Sequence, residues 1–365
     1  MSLKCGIIGL TNIGKSTLFN CISNTKAEIT NFAYSSNKSN VGMVNVPDLR
    51  LYELEKYQPT NKIIPTTMDL VDIPGLAKGA SKGEGVGNTF LSDIRNTDAL
   101  IHVLRCFDNE NLPHIEGSVD PVRDMEIVDF ELQVRDLESI EKKMEKLAKT
   151  AKSGDKDSKM GMEVLSTCKE HLENFSPLRL LEISESNKKY LDDLMLLTIK
   201  PVMYVCNVDE GSAVNGNKYV EQIKDALKED NTEILTVAAG LEAEIAELDD
   251  EQDRLDFIHE MGLEEPGVNK LIRSAYKLLD LNTFFTVGPK EIRAWTLRRG
   301  MYAPQAAGVI HSDLERGFIR AEVMHYNDFI RLGSEQACRE NGKLNIEGKN
   351  YIVEDGDILH IRFNV

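Results

Sequence analysis

The chain opens on a short apolar run, Lys4 to Gly9, that ends in glycine, and residues Ser16 to Ser23 then follow a helical spacing. Strand-like apolar runs recur at Val41–Val46, Thr67–Asp72, Ala99–Leu104, Pro201–Asn207 and Ile234–Val237. Runs that are apolar throughout predict strands buried on both faces, and helical stretches between them predict a parallel sheet with helices on either side.

Two departures from this rhythm divide the chain. Between about Glu126 and Lys200 the apolar positions fall at Phe130, Val134, Leu137, Ile140, Met144 and Leu147, the three-four spacing of a coiled-coil-like helix. Ala151 to Lys159 is polar and contains a glycine, which predicts a tip, and a second helix returns through Leu165, Cys168, Leu172 and Phe175. From Leu281 the helical spacing gives way to short strands with glycine turns, at Ile292–Thr296, Phe318–Val323, Lys349–Val353 and Ile358–Phe363. The expected organisation is an α/β nucleotide-binding domain from residues 1–125 and 200–280, an inserted helical hairpin at 126–199, and a separate α+β module at 281–365.

Candidate chemistry begins directly after the first strand. Gly9-Leu10-Thr11-Asn12-Ile13-Gly14-Lys15-Ser16 matches G-x-x-x-x-G-K-[ST], with a strand before it and a helix after it, as a phosphate loop requires. The two glycines permit backbone that a side chain would block, and the loop N–H groups and helix N-terminus then face phosphate. Lys15 is expected at the β- and γ-phosphates and Ser16 at Mg²⁺; Asn12, Ile13, Gly14 and Thr17 complete the phosphate-binding set. Asp69-Leu70-Val71-Asp72-Ile73-Pro74-Gly75 ends a strand with D-x-x-G, roughly fifty residues after the loop, the spacing at which this weak motif becomes informative. Asp72 is placed to hold the metal and Gly75 to give its N–H to the γ-phosphate.

Asn207-Val208-Asp209-Glu210 stands where GTPases usually carry N-K-x-D, in which the Asp carboxylate takes guanine's N–H groups. Glu210 is one methylene longer than that Asp, so its carboxylate cannot occupy the same point. Discrimination built on a buried polar pairing is lost when the pairing is displaced. Asn207 and Glu210 therefore read as the base-side residues of a site that prefers ATP, with GTP as the alternative substrate.

Charge and cysteine usage narrow the partners. The formal net charge is -17, so the overall field does not favour nucleic acid, and any RNA contact needs a local basic patch. Residues 281–365 carry eleven basic and eleven acidic side chains, so the excess negative charge lies upstream of them. None of the six cysteines forms a C-x-x-C pair, which argues against zinc and for a reducing, cytoplasmic setting. Lys4 follows the initiating residues so closely that no signal peptide is expected, and no apolar stretch is long enough for a membrane. DNA is not an expected partner.

The segments GLTNIGKSTLFN, VDIPGLAKGASKGEGVGN, NVDE, GLEAEIAEL and FFTVGPKEIRAWTLRRGMYAPQAAGVIHSDLERGFIRAE resemble the YchF or Obg-like ATPase family of translation-factor-related P-loop proteins, over essentially the whole chain. The resemblance implies an ATPase with an inserted helical domain, a C-terminal TGS domain of β-grasp fold, and association with the ribosome, its large subunit or the 70S particle. Thr11 stands where the family commonly has Pro. Asn31 to Asn37 departs from the usual Pro-Phe-x-Thr pattern, so that Ser36 takes the place of a metal-binding Thr.

The water-positioning residue is not evident. Leu76 occupies the place where many GTPases have Gln, and its side chain can make no hydrogen bond, which fits either an ATPase acting as a nucleotide-dependent switch in translation or stress regulation or a nucleotide-gated ribosome-binding module with negligible turnover. His114, in a turn-rich loop after Ala99–Leu104, matches a His of the family and is the candidate catalytic substitute alongside Lys15 and Gly75; the alternative is a plain loop histidine. His102, inside a strand, reads as structural. Asn12 carries two readings, a ligand for an activating K⁺, as in related enzymes, or a loop-stabilising hydrogen bond. The glycine run Gly79 to Asn88 lacks a G-K-S ending and reads as a switch, with Lys78 and Lys82 solvated. At the hairpin tip Lys142, Lys143, Lys146, Lys149, Lys152, Lys156 and Lys159 outnumber four acids, which makes the tip the expected ribosomal RNA contact, with Arg298 and Arg299 of the C-terminal module as the rival surface.

Overall fold

The computed structural model describes residues 3–23, 39–75, 86–230 and 232–364. The chain forms two compact units, Met1–Met43 with Asp69–Leu271, and Val44–Met68 with Ile272–Val365.

In the first unit, β1 (Lys4–Ile8), β2 (Asn40–Asn45), β4 (Thr67–Asp72), β5 (Ala99–Arg105), β6 (Val202–Asn207) and β7 (Ile234–Val237) form one sheet in the order β2-β4-β1-β5-β6-β7, while β3 (Ile63–Ile64) belongs to the second unit. The pairings of β1 with β4 and β5, of β5 with β6, and of β6 with β7 are parallel. Every residue of β5 and β6 is buried, as expected of central strands covered on both faces. From β1 the chain goes to the edge strand β2, steps inward to β4 beside β1, and then crosses to β5, β6 and β7 on the other side. The loops leaving β1 and β5 therefore flank the switch point of the sheet, where open α/β sheets bind ligands.

Helix α1 (Lys15–Ser23) follows the first of these loops, α2 (Arg50–Tyr57) lies in the second unit, and α3 (Val86–Arg95) precedes β5. The helical insertion is α4 (Pro121–Lys152) and α5 (Lys156–Glu173). Asp120 starts α4 by accepting the Arg123 N–H at 3.1 Å, ahead of a Pro in the first turn, and Asp155 starts α5 by accepting the Ser158 N–H at 2.8 Å. Ile140 packs with Leu165, Cys168 and Leu172 between the helices.

The root of α4 departs from the expected stripe. Phe130 is exposed and stacks on Phe175, while Met125, Val128 and Leu132 are buried. Here α4 packs on β5 and α7 (Lys218–Ala226), so a different face turns inward. After α5 the chain passes through the short α6 (Glu185–Lys188) and is tied back where the buried Asp136 carboxylate accepts the Leu197 and Thr198 N–H groups at 2.8 and 2.7 Å. Three further helices, α8 (Ala239–Glu247), α9 (Glu251–Glu260) and α10 (Gly267–Leu278), follow β7, and α8 packs on α1.

The second unit is built on β8 (Leu281–Val287), β9 (Ile292–Arg298), β10 (Phe318–His325), β11 (Asn345–Glu347) and β12 (Asp357–Phe363), joined by β3 in the order β11-β10-β12-β8-β9-β3. Helix α11 (Ala303–Ile310) places Ala303, Ala306 and Ala307 in a core with Phe284, Leu297 and Val323. Because alternate residues of a strand face opposite ways, Phe285 lies in a second core with Ile292, Met324 and Ile358, where it meets Leu51 and Leu54 of α2. The expected strand at Lys349–Val353 is instead a turn, with one bridge between Ile352 and Tyr302, because Gly348 accepts the Tyr351 N–H and reverses the chain. β8 and β11 were not legible as strands in the pattern.

Candidate active site

Backbone geometry makes the loop between β1 and α1. Gly9 has φ +141° and Gly14 has φ +94°; a Cβ at Gly9 would lie 2.5 Å from the Val103 carbonyl, and one at Gly14 would lie 2.3 Å from Asn207 Nδ2. Asn12 has φ +60°, a conformation Asn tolerates better than most residues, so the backbone alone accounts for Asn at this place. Ile13 is buried, and Asn12, Ser16 and Thr17 are exposed at the open side of the loop.

Lys15 lies folded under this loop. It is buried, and its Nζ donates to the Leu10 carbonyl. Burial lowers its pKa to about 8, against the pull of Asp72, which raises it. Ser16 Oγ donates to Asp72 Oδ2 at 3.0 Å. The other carboxylate oxygen, Asp72 Oδ1, is buried with no hydrogen-bond partner among the described residues. Burial raises the Asp72 pKa, and Ser16 and Lys15 oppose that shift. A hydroxyl beside a carboxylate with one unsatisfied oxygen suits a hard divalent cation, so the donor set fits magnesium. At Gly75 a Cβ would lie 2.7 Å from Thr11 Cγ2 and 3.0 Å from Lys15 Nζ, so only glycine lets the D-x-x-G backbone come this close to the loop. Ser36, Leu76, Lys78, Lys82 and the glycine run up to residue 85 lie outside the described residues.

Asn207 braces the loop from β6. Its Nδ2 donates to the Ile13 carbonyl at 2.8 Å and its Oδ1 accepts the Ala239 N–H at 2.9 Å, so both ends of the buried amide are used. Val208 is buried and Glu210 is exposed at the start of a short turn.

The loop after β5 is held from several sides. Arg105, buried at the end of β5, donates to the Phe107 and Asn109 carbonyls at 3.2 and 3.3 Å, with its guanidinium 4.7 Å from the Phe107 ring. Asn217, the cap of α7, donates to the Cys106 carbonyl at 2.7 Å. His114 Nδ1 accepts the Glu116 N–H at 3.1 Å, so Nε2 carries the proton and donates to Asp124 at 2.7 Å. The structure thus brings Lys15, Ser16, Asp72, Gly75 and Asn207 together, and it directs the His114 ring to α4 rather than into this cluster. His102 is buried beside Tyr204, with ring centroids 5.4 Å apart. Its pKa is lowered to about 3, chiefly by burial and then by Arg179 and Lys15, so it is neutral and structural, as expected.

Sequence reasoning missed Arg105, Asn217 and Asp124. The last two had a signal: Asn217 directly precedes an amphipathic helix, and Asp124 falls in the first turn after Asp120-Pro121, a helix-start pair. A lone Arg ending a buried strand carries none.

At the hairpin tip, Lys143 pairs with Asp193. Lys146, Lys149, Lys152, Lys156 and Lys159 are exposed and form no ion pair among the described residues. None of the described helices is long and apolar enough to cross a membrane.

A family model described as a 50S ribosome-binding GTPase matches residues 4–159. A model for the C-terminal region of YchF GTPases, described as a protein of unknown function, matches residues 281–364. The chain is 48% identical over 365 residues to the ribosome-binding ATPase YchF of Escherichia coli O157:H7 and 46% identical over 367 residues to that of Bacillus subtilis (strain 168), covering 100% of each partner in both cases. The solved structure of the Schizosaccharomyces pombe YchF GTPase matches with a TM-score of 0.88 and 35% identity, over 99% of this chain and 98% of that one.

Proposed function

The chain belongs to the YchF family, and from that premise we propose that it is a ribosome-associated nucleotide triphosphatase that hydrolyses ATP and uses the reaction as a switch. The observation that carries this reading is the cluster of Lys15, Ser16, Asp72 and Gly75 under one glycine-bounded loop. In the proposed reaction the loop N–H groups hold the β-phosphate, and Lys15 exchanges the Leu10 carbonyl for phosphate oxygens. The Gly75 N–H faces the γ-phosphate. Water attacks phosphorus, the bond to the bridging oxygen breaks, and ADP and phosphate leave. Ser16 and Asp72, with Ser36 as the third expected ligand, would hold Mg²⁺; the chemistry that ion supplies when bound is neutralisation of charge on the β- and γ-oxygens.

Preference for ATP over GTP rests on Glu210, and Asn207 serves the base side by bracing Ile13 and Ala239. The water-positioning role is assigned to His114, whose loop leaves the switch point of the sheet beside the phosphate loop; from the observed position its ring has to leave Asp124 to act. K⁺ at Asn12 is the remaining assignment, and equal turnover in potassium and sodium salts would remove it. Of the three-part reading, the hairpin at 126–199 and the TGS module from 281 are supported by the separate hairpin and C-terminal cores, while residues 44–68 of the expected 1–125 segment pack with the C-terminal core. Ribosome contact is assigned to the tip lysines.

The deciding experiment is competition of ATP and GTP for nucleotide-free protein in magnesium buffer. ATP is expected to displace a fluorescent triphosphate at the lower concentration. A tenfold preference for GTP, as a threshold of about 1.4 kcal/mol, would reverse the specificity. Failure to take up either nucleotide, with Lys15→Ala indistinguishable from wild type, would end the enzymatic reading.

A further inference from the structure

Residues 44–68 leave the nucleotide-binding sheet and return to it. The chain enters the second unit after Met43 and comes back at Asp69, between β2 and β4, which are neighbours in the first sheet. At the root of the excursion the Val46 N–H donates to the Thr66 carbonyl at 2.8 Å. In between, the segment is built into the C-terminal module at four kinds of contact.

Helix α2 buries Leu51 and Leu54 against Phe285, Ile292 and Ile358. Strand β3 extends the sheet by pairing in parallel with β9, Ile63 opposite Ile292 and Ile64 opposite Arg293. Arg50 donates to Asp48 and, at 2.7 Å, to Asp355, whose other oxygen accepts the Thr283 N–H at 2.8 Å; its guanidinium also lies 5.0 Å over the Phe285 ring. Thr66 Oγ1 bonds Thr296 Oγ1 at 2.5 Å, and Thr296 accepts from Tyr276 OH at 3.0 Å. Without the segment, the Phe285 face of the C-terminal sheet would lose its cover, one edge would lose its outer strand, and one Asp355 oxygen would lose its Arg50 partner. Segment 44–68 is thus part of the C-terminal fold, although it interrupts the nucleotide-binding sheet in sequence.

β4 connects the two. Its first residue, Thr67, follows Thr66 of the hydroxyl cluster, and its last, Asp72, is the carboxylate held by Ser16. β4 is six residues long, roughly 20 Å of extended chain, and its Asp69–Asp72 half pairs in register with Lys4–Ile7 of β1. We propose that residues 44–68 are a coupling arm: a change of ligand at Asp72 is passed along β4 to the sheet of the C-terminal module, and a ligand on that module alters nucleotide affinity by the same factor. The inference rests on the nucleotide-site reading above, and it goes beyond it by naming the route and the receiving element.

The test is amide hydrogen exchange on the full-length chain, nucleotide-free and saturated with magnesium and a non-hydrolysable ATP analogue. Analogue binding is measured independently by calorimetry. Exchange at residues 60–66 and 292–298 is expected to change at least about fivefold on binding, the lower end of ordinary coupling between sites. The emission of Trp295, the chain's one tryptophan, is expected to change as well; its ring lies 3.9 Å from the guanidinium of Arg293, the residue paired with Ile64. Arg50→Ala and the isosteric Thr66→Val, both remote from the phosphate cluster, are expected to keep analogue affinity within twofold while losing the response at 292–298. Thr66→Val keeps the test open if Arg50→Ala does not fold. Normal binding with unchanged exchange in both segments would overturn the arm and leave the nucleotide site intact. Absence of binding would overturn the site and the arm together.

Discussion

The pKa of Lys15 makes nucleotide affinity depend on pH in a defined window. In the nucleotide-free protein Lys15 is enclosed by the loop, and burial lowers its pKa to about 8 from the ordinary 10.5, with Asp72 pulling it back only in part. In the binding mode proposed above, a triphosphate adds several negative charges beside Nζ, which favours the ammonium form in the complex far above that value. Binding must then take up whatever fraction of a proton the free protein lacks. The dissociation constant is multiplied by one plus ten to the power of pH minus 8, which is about twofold at pH 8 and about elevenfold at pH 9 relative to neutral pH.

Calorimetric titration with a magnesium–ATP analogue, in pairs of buffers of different ionisation enthalpy, measures both quantities. Proton uptake at Lys15 is expected to be about 0.1 at pH 7 and about 0.9 at pH 9. Phosphate groups titrate near pH 6 and contribute little above pH 7. The Cys21 thiol on α1 is pushed up to about 11 by burial. Stability of the nucleotide-free protein has the opposite sign: between pH 8 and 10.5 the unfolded chain binds more protons at this lysine, so Lys15 makes the folded state relatively more stable as pH rises. A dissociation constant that stays flat from pH 7 to 9, with no proton uptake at pH 9, would refute the buried placement of Lys15.

Asn207→Ala removes both bonds of the buried amide and strands the Ile13 carbonyl and Ala239 N–H, so denaturant unfolding is expected to show a loss of about 1–3 kcal/mol, with weaker nucleotide binding. Asp72 holds its proton to higher pH than an ordinary carboxylate because burial outweighs Ser16 and Lys15, so protons compete with magnesium as pH falls; the Mg²⁺ needed for half-maximal turnover should rise as pH falls, and Asp72→Asn should weaken Mg²⁺-dependent nucleotide binding at every pH. His114→Ala removes the bonds to Asp124 Oδ2 and from the Glu116 N–H, while Arg123 keeps Asp124 Oδ1, and should lower stability by about 1–3 kcal/mol, with slower single turnover at saturating ATP; unchanged turnover would leave His114 as a loop anchor only. Reversing charge at Lys149, Lys152 and Lys156 should weaken ribosome co-sedimentation and flatten its salt dependence, and intact binding would turn attention to Arg298 and Arg299.

The phosphate loop, the D-x-x-G aspartate and the hairpin were legible because each is a contiguous stretch. Gly9, Gly14 and Lys15 act within one turn of chain, and the tip is marked by consecutive polar residues between two periodic helices. The face of α4 near Phe130 was not legible. Spacing identifies a stripe, and the neighbouring elements choose which part of it is buried. His114 reads from sequence as a loop residue free to move, and the tertiary structure binds both its nitrogens.

By itself the amino-acid sequence determined the local elements: the glycine-bounded loop, the hydroxyl and carboxylate that lie beside it, and where positive charge gathers on a negatively charged chain. Only the tertiary structure decided that Asn207 reaches the loop from 194 positions away and that residues 44–68 are built into the C-terminal fold. Local motifs are set by backbone conformations and neighbours along the chain. These other features depend on strand order and register, which bring distant segments into contact and which no stretch of sequence encodes alone.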